Sequence, residues 1–320
     1  MDIEMLRARA RVMHLARAFF DELGYLELDT PILAPDLIPE SCLEVFETRR
    51  RLPGGGDLPY WLVPSPEVWM KKIIARHGES VYQICKCFRN GESSGHLHSP
   101  EFTMLEYYTV GADYLDSIAL TEDFVAFLAR ACDCRDFRPP FERLTVAEAF
   151  ARHAGFDLSH AASVEGELAE RARALGLDPP PGAEIPALFD LIFIHAVEPC
   201  LKNQGPVALL DYPAFVPCLA RLGADSKTVE RWELYHAGVE LANCFSEETS
   251  GERVRAFFQS EAEAKNAGAV VPHAIDGNYW KIFDGPRPFP ACSGVAMGMD
   301  RLIMALLGKS RVEMVLPFPM

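Results

Sequence analysis

No apolar run in this 320-residue chain is long enough to cross a bilayer; the longest, residues 188–197, is interrupted by Asp190 and His195. Positive charge is scarce as well. There are 31 Lys and Arg against 46 Asp and Glu, a net charge of −15, with a pI of ≈ 5.1. Broad, electrostatically driven nucleic-acid binding needs clustered Lys and Arg, so that class of function is excluded. A small basic site on an acidic body is not. The opening Met1-Asp2-Ile3-Glu4 lacks the cationic segment and apolar core of a secretory signal. A cytoplasmic location with no membrane partner is expected. The nine cysteines are odd in number and dispersed, which suits a reducing compartment and offers no disulfide framework. Cys85/Cys87 and Cys132/Cys134 are each separated by one residue, fewer than ordinary zinc ligands prefer. Both pairs read as buried, inert thiols. Internal repeats and disordered tails are lacking too.

Hydrophobic residues make up 49% of the chain, enough for one large core or two modest ones. Residues 4–23 have a helical period, with Leu6, Ala10, Met13, Ala16 and Phe20 on one stripe and Gly24 as its stop. Residues 26–31 alternate like a strand ended by Pro31. Gly54-Gly55-Gly56 reads as a hairpin tip before a strand over 60–63. A helix is expected over 66–76 and strands over 81–88 and 102–108. Residues 113–186 read as polar and helical, broken by Pro179-Pro180-Pro181-Gly182, and as an insertion within a single domain spanning 1–320. Strand-like pieces return at 207–211 and 239–245, and a helix is expected over 253–267. Strands separated by loops and mixed helices point to an α+β fold.

Three stretches carry chemistry. Residues 294–308 form a Gly-spaced strand, an Asp300-Arg301 pair and an apolar helix; an arginine opening such a helix needs an anionic partner, and a nucleotide phosphate fits. Residues 87–108 read as strand, polar loop, strand. Arg89 enters the loop where its guanidinium can fork onto a phosphate, and Glu92 and His98 can meet a base and a terminal phosphate. Phe102, Met104, Glu106 and Tyr108 share one face of the return strand, where a carboxylate is costly unless paired. Taken one at a time, these residues fit a solvated hairpin equally well. In residues 230–247 a turn at His236-Ala237-Gly238 would bring Glu233 and Glu240 together, a pair suited to Mg²⁺, or else a charged surface hairpin. Asn243 and Glu247 share one face, and strict alternation puts Glu240 on the other unless the strand bulges. Glu67 opens a helix after Ser65-Pro66, where helix capping is the plain alternative.

These residues resemble the signature motifs of class II aminoacyl-tRNA synthetases. Phe20 to Pro31 is similar to motif 1, Phe88 through Glu106 to motif 2, and Gly294 to Arg301 to motif 3. Pro66-Glu67 with Lys71, Pro100 to Met104, and Glu240 to Glu247 resemble lysyl-tRNA synthetases in particular, and the likeness runs from residue 4 to the end. The chain starts directly at the helix before motif 1, so no anticodon-binding domain is expected. Ala296 stands where lysyl-tRNA synthetases usually have glycine. Both features are as in the elongation factor P lysine ligases, short paralogues of those synthetases.

The resemblance implies a class II catalytic core: an antiparallel sheet flanked by helices. It implies an ATP-dependent ligase that activates lysine or (R)-β-lysine as an adenylate and passes it to the ε-amine of a lysine on elongation factor P. It further implies a homodimer through motif 1, with tRNA not the expected acceptor. A tRNA-charging enzyme and a non-catalytic lysine- or ATP-binding paralogue are the alternatives. By the same resemblance, Arg89, Arg301 and Glu240 are catalytic. ATP would be bound by Arg89, Asn90, Gly91, Glu92, His98, Ser99, Glu240, Leu241, Gly298 and Arg301. Glu233 and Glu240 would hold Mg²⁺. Ser65, Pro66, Glu67, Glu106, Tyr108, Asn243, Glu247 and Ala296 would surround the lysine, Glu247 meeting its ε-ammonium. The motif 2 loop is one residue longer than usual because of Gly91, leaving the adenine role open between Glu92 and the Gly91 backbone. Ser99 and Cys244 replace a usual Asn and Gly.

Overall fold

The computed structural model describes residues 2–91 and 95–319. Its strands are β1 (Leu26–Glu27), β2 (Leu33–Ala34), β3 (Glu47–Arg51), β4 (Asp57–Leu62), β5 (Val81–Phe88), β6 (Glu101–Val110), β7 (Glu142–Thr145), β8 (Val207–Pro213), β9 (Thr228–His236), β10 (Val239–Ser246) and β11 (Cys292–Gly298). The α-helices are α1 (Ile3–Glu22), α2 (Glu67–His77), α3 (Tyr114–Ala131), α4 (Val146–His153), α5 (Leu158–Ser163), α6 (Glu167–Ala174), α7 (Ile185–Ile192), α8 (Gly251–Gly268) and α9 (Met299–Leu306).

Eight strands form one sheet in the order β1-β5-β6-β11-β10-β9-β8-β7, and β2-β4-β3 form a small second sheet. The large sheet is antiparallel from β5 to β8 and parallel only at its margins, β1 with β5 and β7 with β8. This is the helix-flanked α+β architecture expected from the sequence.

Period-two alternation divides the sheet into two faces. Tyr82, Leu105, Tyr107, Val295, Met297, Cys244, Trp232 and Leu234 enter one core with Val12, Ala16 and Phe20 of α1, Phe124 and Leu128 of α3, and Leu302 and Ile303 of α9. The opposite face has two separate covers. At the β7–β9 end, α4 to α7 and the helical turn after α7 pack on it through Phe150, Phe189 and Phe193. At the β5–β6 end, α2, α8 and Tyr279 do so through Met70, Ile74 and Phe258. Over the central strands β6, β11 and β10, Glu106, Ala296 and Asn243 stand on this face, between the two covers.

Several elements differ from the sequence reading, each for a tertiary reason. The buried face of α1 is Arg9, Val12, Ala16 and Phe20, whereas Leu6 and Met13 are half-buried and Ala10 is exposed. An arginine occupies that face because Arg9 pairs with Asp300 at 2.7 Å. The strand expected over 26–31 is only the two residues of β1, a margin strand paired on one side. The stretch 113–186 includes β7, and its first helix, α3, packs in the main core. Of the Cys-x-Cys thiols only Cys87 is fully buried; as the spacing requires, the Cys85 and Cys87 sulfurs share a face, 3.8 Å apart. Among the described residues no helix is long and apolar enough to cross a membrane.

Candidate functional site

The β9–β10 hairpin turns through Ala237 and Gly238, with φ of 49° and 75°, the two left-handed residues of a tight hairpin turn. Gly238 has a further reason to lack a side chain: a Cβ there would lie 2.6 Å from Lys202. Past the turn, the register shifts between Glu240 and Ala242. Leu241 and Ala242 therefore both pack into the helix-covered core, where they also border the cavity, while Glu240 and Asn243 line the cavity without joining that core. This bulge removes the conflict that strict alternation posed for Glu240 and Glu247.

The cavity measures ≈ 420 Å³ and is walled by Arg89, His98, Ser99, Arg231, Glu233, Glu240, Leu241, Asn243, Ala296, Gly298 and Arg301, among others. Arg89 stacks on Phe102, 5.3 Å from its ring centroid. Arg301 is held from three sides: it donates to the Leu97 carbonyl (3.2 Å) and the Glu240 carbonyl (3.0 Å), and it meets the His98 ring at 2.9 Å. Its neighbour Asp300 has a structural task, taking Arg9 on one oxygen and the Thr103 N–H on the other. The Ser99 hydroxyl and the Asn243 side-chain oxygen are buried without a hydrogen-bond partner among the described residues. Buried polar groups of this kind normally find one, so both fit a polar ligand.

Glu240 and Glu233 face the same cavity. Enclosure by the protein and then the charge of Glu233 push the Glu240 carboxyl up to about 7, against Arg301 and Arg89. Glu233 is well occupied. One of its oxygens accepts from the Tyr212 and Tyr235 hydroxyls at 2.6 and 2.7 Å, and the other pairs with Arg231. A carboxylate offers about four acceptor positions, so Glu233 retains one. Two mutually repelling carboxylates on a guanidinium-lined cavity fit a divalent cation that also takes phosphate oxygens. Among the described residues no cluster of three or more His, Cys, Asp or Glu side chains forms, so such an ion would need most of its ligands from a phosphate chain.

Beside the cavity, across Ala296, lies a second polar cluster. Ala296 pairs with Asn243 on β10 and with Glu106 on β6. Glu106 accepts from Ser65 (2.7 Å) and Tyr108 (2.6 Å); burial and the charge of Glu67 push it up to about 8, despite those two hydrogen bonds. Ser65 also accepts the Glu67 N–H, fixing the start of α2, whose N-cap is Pro66. Burial pushes Glu247 up to about 7 as well, and Lys71 opposes it. The Lys71 ammonium bridges Glu67 and Glu247. Gly294 leaves the room this cluster needs, because a Cβ there would collide with Glu247 and the Tyr108 ring.

Of the residues expected at a nucleotide site, Arg89, His98, Ser99, Glu240, Leu241, Gly298 and Arg301 meet at the cavity; Asn90 and Gly91 are not among its walls. The Asn90 side chain is engaged locally, donating to the Val45 carbonyl and accepting from the Gly91 N–H, because residue 90 bridges to Glu44. Glu92 lies outside the described residues. Ser65, Glu67, Glu106, Tyr108 and Glu247 converge in the neighbouring cluster, and Asn243 and Ala296 stand at its border with the cavity. Sequence reasoning missed Arg231, a third cavity guanidinium, although its spacing of two from Glu233 on one strand would have placed both on one face. It also gave Lys71 no task, although an i, i+4 pair with Glu67 was visible.

The profile of the family described as tRNA synthetases class II (D, K and N) matches residues 3–320. The elongation factor P--(R)-beta-lysine ligase of Yersinia enterocolitica is 34% identical over 99% of this chain and 95% of its own length. That of Avibacterium paragallinarum is likewise 34% identical, with the same coverage, and that of Proteus mirabilis is 33% identical over 99% and 95%.

Proposed function

Since the chain belongs to the class II tRNA synthetase family (D, K and N), we propose that it is an ATP-dependent ligase that joins lysine or (R)-β-lysine to elongation factor P. One observation carries the reading: a cavity lined by guanidinium groups borders a cluster of buried carboxylates, with Ala296 between them. Anionic phosphates suit the first and the ammonium groups of a diamino acid suit the second.

The chemistry then needs no protein base. An ionised substrate carboxylate attacks the α-phosphorus of ATP in line, a new P–O bond forms, and the bond to pyrophosphate breaks. Arg89 fits the α-phosphate, and His98 with Arg301 fits the outer phosphates, holding the chain in line and offsetting its charge. Glu240 and the remaining acceptor position of Glu233 would hold Mg²⁺, which would supply further charge neutralisation at the phosphates. Ser65, Glu67, Glu106, Tyr108, Asn243 and Glu247 orient the diamino acid. In the second half-reaction the acceptor lysine's ε-amine attacks the acyl carbon; an amide bond forms, AMP leaves, and the amine proton passes to solvent.

Two chains would pair through the motif 1 region. Leu23, Leu26, Ile32 and Leu33 there are each 40–53% exposed, an apolar surface that a symmetric partner would cover.

Pyrophosphate exchange into ATP is expected with (R)-β-lysine or α-lysine, and labelled amino acid should then move to purified elongation factor P. Exchange with neither amino acid would rule out the enzyme. Transfer to tRNA alone would rule out the acceptor.

A further inference from the structure

We propose that Lys71 is a positioning residue of the amino-acid pocket: its buried ammonium ties Glu67 to Glu247 and leaves the cluster short of the two cations that a diamino acid brings. The inference rests on the reading above that the cluster takes a lysine-like substrate.

Geometry carries it. The Lys71 side chain is 2% exposed, its partners Glu67 and Glu247 are 17% and 3% exposed, and the separation from Glu247 is 2.6 Å. Those carboxylates come from unrelated elements, the first turn of α2 and the residue after β10, and one shared cation links them. The ammonium also lies 5.9 Å from the Tyr108 ring centroid. The groups facing it are Glu67 on its own helix, Glu106 and Tyr108 on β6, Glu247 beyond β10, Cys292 on β11, and Tyr279. Burial works against its charge, but Glu247 and Glu67 outweigh burial and hold the ammonium well above the usual lysine range. It is a permanent cation in the pocket.

The charge count follows. Glu106, pushed up to about 8, keeps its proton at neutral pH until an ammonium binds beside it; with all three carboxylates then ionised, Lys71 cancels one negative charge and the two ammonium groups cancel the rest. A monoamine leaves the cluster undercompensated, and burying such a charge is costly. Without Lys71, Glu247 loses the cation that opposes its burial and moves further up, so at neutral pH it holds a proton and meets an ammonium as a neutral acid. Raising the pH removes that proton and restores the contact.

The test is Lys71→Gln in the full-length enzyme, read by ATP–pyrophosphate exchange against native protein. At pH 7 the KM for the amino acid should rise about tenfold or more, the loss of a charge-assisted contact, while the KM for ATP stays within about twofold. The defect should shrink between pH 7 and 8.5. An unchanged amino-acid KM, a pH-independent defect, or an equal rise in both KM values would overturn the role. Should Lys71→Gln fail to melt cooperatively, Lys71→Ala is tested with added butylammonium or butanol. Restoration by the amine alone supports a charge role, and equal restoration by both, or by neither, overturns it. Native enzyme that exchanges with no amino acid sinks the ligase reading and this one together. Native exchange with an unaltered variant sinks only this one.

Discussion

Ala296 joins the two halves of the site at the scale of one methyl group. Its backbone pairs Asn243 on one side and Glu106 on the other, and its side chain is on the cavity wall. Removing the methyl deepens the floor between the phosphate and ammonium ends, where α- and β-amino acids differ in the reach from carboxylate to amine. Ala296→Gly should shift the ratio of exchange rates toward α-lysine by about tenfold, the lower end of what one methylene decides in a packed pocket. An unchanged ratio would remove Ala296 from specificity. Other single residues were legible to different degrees. Arg89, Glu106, Glu240 and Arg301 stand out from their motif context alone. Arg9 and Asp300 do not, because their pairing joins residues nearly the whole chain apart.

At the scale of elements, the β9–β10 hairpin shows how a local signal and a long-range one divide the work. Its tip was readable from His236-Ala237-Gly238, since left-handed backbone there favours glycine. The bulge at Leu241 was not, because it is set by which residues the core can take: Leu241 and Ala242 are both buried, at 2% exposure each. That choice turns Glu240 toward Asn243 and the cavity. Gly238→Val adds a branched side chain where φ is 75° and Lys202 is in the way. It should cost about 2 kcal/mol in stability, read from the urea midpoint, and raise the KM for ATP more than that for the amino acid. A native midpoint and native KM values would show that the turn does not set the Glu240 position. The helix starting at Glu67 was likewise readable, and it brings Lys71 round one turn to Glu67. That the same ammonium reaches Glu247 depended on α2 covering the sheet.

The whole molecule is acidic, and several apolar side chains near motif 1 are exposed. Leu26 and Leu33 are 53% and 50% exposed on short strands at the margin of each sheet, where an uncovered edge invites pairing. Leu26→Glu with Leu33→Glu should convert a dimer to a monomer in sedimentation velocity, with little loss in the single-chain melting profile because both side chains are already half in solvent. A wild-type protein that sediments as a monomer at micromolar concentration would remove the dimer from the proposal.

Composition, periodicity and motif wording by themselves determined the α+β class, the helices and most strands outside residues 113–186, the three chemical stretches and the family resemblance, because these depend on near neighbours and on residue type. The tertiary structure alone decided the parity of Glu240, the occupation of Glu233 by Tyr212, Tyr235 and Arg231, the burial of Arg9, and the bridge of Lys71 between Glu67 and Glu247. Each of these couples charges or packing surfaces far apart in the chain. A buried charge must find its partner in space, and that partner has no fixed offset in sequence.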